Sequence, residues 1–245
     1  MPALGPGGGA RPWTPADGGV GPSLYTWHDA ADTTTFDAGA AGAQIATWRD
    51  KSGNGVHLTQ ATSAKQPTSS GARAGKTCLA FSGSQAISGA TVNKAQPITV
   101  VIAFRLSSAG DFYMQGSGGA GPQIYSDGSA SIFKSGVGGA SANGGSTDTR
   151  AHIISAQFSG ATSEIYTDGQ VGTPASFATT AMAYLVLGAY RTDGFLGMPG
   201  EIYESTVWSG SLGAVGRGTV ERYLSAKWGI PLAVGGACSP PLVFA

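Results

Sequence analysis

Charge is scarce in this chain. Asp, Glu, Lys and Arg make up 11% of 245 residues, 14 basic against 14 acidic, for a formal net charge of +0. With no basic block and no polybasic stripe, neither nucleic acid nor an anionic membrane surface is an expected partner. Histidine is sparse too: His28, His57 and His152 lie far apart, and no metal-ligand cluster is visible. The two cysteines, Cys78 and Cys238, make no disulfide framework and read as separate thiols, which alone cannot close a structural zinc site. No apolar run reaches the ~18 residues of a membrane span. Met1 to Pro6 carry neither a positive segment nor an apolar one, so no secretory signal is expected.

Glycine and proline are plentiful, at 40 and 13 residues, and 41% of the chain is hydrophobic. That combination excludes wholesale disorder and suits short strands joined by tight turns. The strongest strand is Ile98–Leu106, where Ile98, Val100, Ile102, Phe104 and Leu106 share one face at period two. Further strands are expected over 24–27, 45–48, 78–81, 152–158, 164–167, 184–189 and 202–208. Asp168-Gly169 marks a hairpin, because a type I′ turn needs positive φ at both central residues. One amphipathic helix is expected from the stripe Leu212, Val215, Val220, Tyr223, Leu224 and Trp228, capped by Ser211 or Gly213 and stopped by Gly229 and Pro231. Strands followed by a helix, without βαβ alternation, exclude a doubly wound fold.

Three segments follow. Residues 1–23, rich in Gly and Pro, read as an extended N-terminal arm whose Trp13 packs on the domain or on a partner subunit. Residues 24–230 form the domain. Residues 231–245 are an apolar C-terminal tail whose Leu242, Val243 and Phe244 would lie on the domain or plug into a neighbouring subunit. Trp13 and these three residues are the candidate assembly contacts.

Sugar binding needs an aromatic platform with planar polar groups, sometimes organised by calcium through oxygen ligands. Candidates on turns are Asp50 with Asn54; Asp111, Phe112 and Tyr113; Tyr125 with Asp127; and Tyr190, Arg191, Asp193 and Phe195. The last group, around Gly194, ranks first, with Tyr125 and Asp127 beside it. A surface turn is the competing reading for each. The stretches 116–121 and 136–145 lack a phosphate-binding pattern and read as glycine-rich loops, mobile or contacting a partner. No metal is assigned, and Ca2+ is left open.

Two motifs carry a family resemblance. Trp48-Arg49-Asp50-Lys51-Ser52-Gly53-Asn54-Gly55 stands near the start. Gly200-Glu201-Ile202-Tyr203-Glu204 leads late in the chain to a helix ending Val220-x-x-Tyr223-Leu224-x-x-Lys227-Trp228-Gly229-Ile230. Both resemble the concanavalin A-like, laminin-G-like jelly-roll proteins. The resemblance implies an all-β fold: a two-sheet antiparallel jelly-roll sandwich with one short C-terminal helix docked on it. Laminin-G-like domains often carry a late disulfide, which leaves a Cys78–Cys238 bridge open. Glucanases of the wider superfamily place paired carboxylates on one strand as E-x-D-x-x-E or E-x-D-x-E. This chain has four glutamates, Glu164, Glu201, Glu204 and Glu221, and Glu201 and Glu204 would face opposite ways on a strand. That spacing predicts no catalysis.

Trp13-Thr14-Pro15-Ala16-Asp17 and the later Gln60-Ala61-Thr62 extend the resemblance to laminin-G-like proteins of tailed bacteriophages. It implies a non-enzymatic virion surface protein, a head decoration or tail fibre component made in the host cytoplasm, that binds host-surface polysaccharide. Its arm and tail would contact other virion proteins, as a homo-oligomer and without membrane insertion. The alternatives are a structural cement protein without ligand and a glycan-cleaving enzyme.

Overall fold

A computed structural model describes residues 11–89, 92–117, 119–130 and 132–233. Sixteen strands and one α-helix follow in chain order. They are β1 (Leu24–Asp29), β2 (Thr47–Trp48), β3 (Leu58–Thr59), β4 (Thr68–Arg73), β5 (Lys76–Ser82) and β6 (Ile87–Gly89). Next come β7 (Ile98–Leu106), β8 (Phe112–Gly116), β9 (Gln123–Asp127), β10 (Ile132–Val137) and β11 (Ala140–Ser146). The last are β12 (Ala151–Phe158), β13 (Glu164–Thr167), β14 (Gln170–Val171), β15 (Val186–Leu187), β16 (Pro199–Trp208) and α1 (Ala214–Trp228).

They form two eight-stranded antiparallel sheets. The first runs β14-β13-β12-β7-β16-β5-β4, with β1 also on β16; the second runs β11-β10-β9-β8-β15-β6-β3-β2. This is the expected all-β sandwich with a C-terminal helix. The period-two face of β7 lies in the main core between the sheets, with Ile154, Phe133 and Trp48. Val101 and Ala103, on the other face of β7, are buried as well, because α1 covers that side with Val220, Leu224 and Trp228. A central strand covered on both faces is apolar throughout.

Gly213 caps α1, and Gly229 closes it in the left-handed conformation. The expected stripe is corrected at two positions. Leu212 precedes the helix, and Val215 is 78% exposed. The inward row starts instead at Gly216, whose missing Cβ lets the Val20 carbonyl approach to 2.4 Å of where it would stand. Of the residues read as an arm, 11–23 lie on the domain. Pro15–Asp17 make a short 3-10 turn, and Trp13 is buried with its ring edge-on to Tyr223 at 5.8 Å. Leu242, Val243, Phe244 and Cys238 lie outside the described residues.

Glu201 and Glu204 do not face opposite ways. A β-bulge between Ile202 and Glu204 inserts one residue against β7 and returns Glu204 to the helix side, where Glu201 also lies. Glu204 is fully buried and accepts four bonds: from Trp27 Nε1 (2.6 Å), Tyr223 Oη (2.9 Å), Lys227 Nζ (2.7 Å) and Trp228 Nε1 (2.9 Å). Lys227 also pairs with Asp29 at 2.6 Å, and Asp29 with Lys51 at 2.9 Å. Burial and Asp29 push the Glu204 pKa up, while Lys227 and Trp228 pull against them. The motif residues Trp228, Lys227 and Glu204 therefore serve the fold, clamping α1 onto β16 and β1.

Candidate functional site

The cleft is built on the outward face of β8, β9 and β10. Antiparallel register sets Tyr113 opposite Tyr125, Tyr125 opposite Lys134 and Gln123 opposite Gly136. Period-two alternation then turns Ile124 and Phe133 into the core and Gln123, Tyr125 and Lys134 outward. The Tyr113 and Tyr125 rings stack with centroids 5.0 Å apart and planes 19° from parallel.

A third ring arrives from the turn after β15. Tyr190 lies 4.9 Å from Tyr113, and its hydroxyl donates to the Gly119 carbonyl at 3.4 Å. Gly116 makes this approach geometrically feasible, since a Cβ there would stand 2.2 Å from the Tyr190 carbonyl oxygen. The Tyr190 turn is itself closed: Tyr190 N donates to Phe195 O, and Gly194 N to Arg191 O. Gly194 adopts φ +81°, and a Cβ on it would meet the Ser84 carbonyl at 2.1 Å, so this glycine is a packing requirement rather than a flexible joint.

Two glycine-rich walls flank the tyrosines. One is Gly119 and Ala120, tied to β9 by the Gln123 amide donating to the Gly119 carbonyl; the other is the hairpin 136–140. The space between them measures about 360 Å³. Only uncharged residues line it. Burial, then Tyr125, Tyr190 and Asp111, push the Tyr113 phenol up to about 12, so it stays a neutral hydrogen-bonding group. Of the stretches 116–121 and 136–145, read from sequence as glycine-rich loops, the second is corrected to strand. Gly136 and Val137 end β10, Ala140–Ser146 form β11, and Gly119, Ala120 and residues 136–140 wall the cleft.

Of the residues singled out from sequence, Tyr113, Tyr125 and Tyr190 meet in the cleft. Phe195 lies beside Tyr190 at 6.4 Å, half exposed, with the Arg191 guanidinium 4.5 Å over its ring. Arg191 pairs with Asp193, whose other oxygen accepts the Phe195 amide. Asp127 accepts from Ser129 and Ala130 in its own turn and pairs with Lys134 at 2.6 Å, which holds its carboxyl well below the usual carboxylate range. These charges serve their own turns. Asp50 likewise accepts from Trp27, Ser52 and Val56 backbone amides, and Asn54 bonds the Leu24 and Tyr25 carbonyls. Among the described residues no group of three or more His, Cys, Asp or Glu could hold a metal ion. Gln123 and the glycine walls were not singled out. The signal for them was the alternation Gln123-x-Tyr125 facing Tyr113 across a hairpin, which needs the register to be known.

No protein family profile matches the chain, and no curated protein matches it in sequence. Solved structures do match in fold. Trypanosoma rangeli sialidase in complex with sialic acid aligns over 83% of this chain and 33% of its own, at 15% identity and a TM-score of 0.58. A GH54 α-L-arabinofuranosidase soaked with a cyclic sulfate inhibitor aligns over 76% of this chain and 51% of its own, at 17% identity and a TM-score of 0.60. A mutant of the same sialidase displaying trans-sialidase activity gives 84%, 33%, 14% and 0.59. The chain thus spans a third to a half of the proteins it resembles, and at these identities the likeness establishes the β-sandwich fold.

The expectation of a non-enzymatic virion surface protein does not stand, because the neighbours named here are glycoside hydrolases and none is a phage protein. The expectation that the chain is no enzyme falls with it. Its physical ground was too narrow: a missing E-x-D-x-x-E strand excludes one arrangement of carboxylates, whereas a fold can bring acidic groups together from separate strands.

Proposed function

We propose that this chain is a saccharide-holding β-sandwich domain of a carbohydrate-processing protein, with the tyrosine cleft as its sugar site. The observation that carries the reading is the convergence of Tyr113, Tyr125 and Tyr190 on one open cleft of about 360 Å³. Aromatic faces pack against the C–H faces of a sugar ring, and phenol hydroxyls and the Gln123 side chain offer bonds to its hydroxyls. The volume falls at the lower end of small-molecule sites, about 300–1,000 Å³, which suits a mono- or disaccharide unit of a longer glycan. The glycosidase structures of the same fold support a carbohydrate context for this reading.

Affinity electrophoresis of the full chain through polysaccharide-containing gels tests it. Tyr125→Ala and Tyr190→Ala should each weaken retardation by about tenfold or more while the melting temperature stays close to that of the parent. Unchanged retardation in both variants would overturn the assignment of the site.

A further inference from the structure

The cleft's electrostatics select among sugars. Resting on the saccharide reading above, we infer that the site takes a neutral glycan and discriminates against acidic ones such as sialosides or uronic acid polymers. Only uncharged groups line the space: three phenols, the Gln123 amide, Ala and Val side chains, and glycine backbone.

Two cations beside the tyrosines already have carboxylate partners, and the charge acting on Tyr113 is the negative one of Asp111. Lys134 stands opposite Tyr125 but its ammonium is bound to Asp127 at 2.6 Å. Arg191 follows Tyr190 in sequence, yet it pairs with Asp193 at 3.1 Å and lies over Phe195. An incoming carboxylate would therefore lose water on entering the cleft and find no cation there. An unpaired charge removed from water is strongly disfavoured. A neutral ring loses only hydroxyl hydration, which the phenols and the Gln123 amide replace.

The test is titration calorimetry of the full chain against neutral oligosaccharides (arabinan, galactan and glucan fragments) and acidic ones (oligosialic and oligogalacturonic acids), at low and at high salt. The expected result is binding within the neutral set, changed less than about twofold by salt, lost in Tyr125→Ala, and no measurable heat with the acidic set. Tighter binding of acidic oligosaccharides, or a loss of about tenfold or more with salt, would overturn the neutral-glycan inference while leaving the cleft as a sugar site. Failure of both sets to bind the folded protein would overturn the saccharide reading itself, and the inference with it.

Discussion

At the scale of single residues, the buried charges decide stability. Glu204 gathers four donors without solvent contact, so removing its carboxylate strands two indole N–H groups and the Tyr223 hydroxyl in the interior and leaves Lys227 with Asp29 alone. Glu204→Ala should cost about 3–5 kcal/mol, read as a lowered urea midpoint. A near-parental midpoint would show that the clamp on α1 is not needed. His28 and His152 make opposite pH predictions. His28 is buried against Trp48, and burial drives its pKa down to about 4, with Asp50 and the Val56 carbonyl pulling it partly back. The folded state refuses a proton that the unfolded chain accepts, so this stability is complete above pH 6.5 and is lost as pH falls from about 6.5 towards about 4. His28→Asn should flatten the acid side of a plot of melting temperature against pH. For His152, burial lowers the pKa, but Asp168 at 2.8 Å and Asp148 at 3.0 Å outweigh it and raise it. Its contribution is complete below pH 6.5 and is lost as pH rises through the elevated pKa, a slope His152→Asn should remove.

Among the elements, close backbone approach shapes the site. Gly116→Ala would drive a methyl group into the Tyr190 carbonyl and part the β8 end from the Tyr190 turn. The expected outcome is a loss of sugar affinity of about tenfold or more, larger than the change in melting temperature would explain; retained affinity would show that the third ring is dispensable. This contact was illegible in the sequence, where Gly116 is one glycine among many. Strand β7 and the hairpin at Asp168-Gly169 were legible, because period two and turn chemistry are local signals; both residues do take positive φ. The bulge beside Glu204 was not, since it exists only in the pairing of β16 with β7. Strand β11 was hidden for a similar reason. Its glycines and small residues carry little strand signal, and backbone bonds to β10 and between Asn143 and Thr173 hold it in place. Val215 satisfied the helical spacing yet points to solvent, because the inward row begins one residue later, at Gly216.

For the molecule as a whole, one sheet bears the helix and the other bears the cleft. The sandwich core separates the two, so the Glu204 clamp and the tyrosines act on opposite faces. Variants on the helix side should therefore change stability without changing sugar affinity in the fraction that remains folded. The sandwich was legible from strand density and a closing helix, and Tyr113, Tyr125 and Tyr190 were each legible as candidates, but not their convergence, which comes from the register of β8 with β9 and from the turn after β15. The most direct measurement is a crystal structure of the chain with the tightest-binding neutral oligosaccharide. A sugar ring packed on Tyr113, Tyr125 or Tyr190, between the 119–120 and 136–140 walls, is the predicted result. A ring bound on any other face, with the cleft empty, would contradict the account.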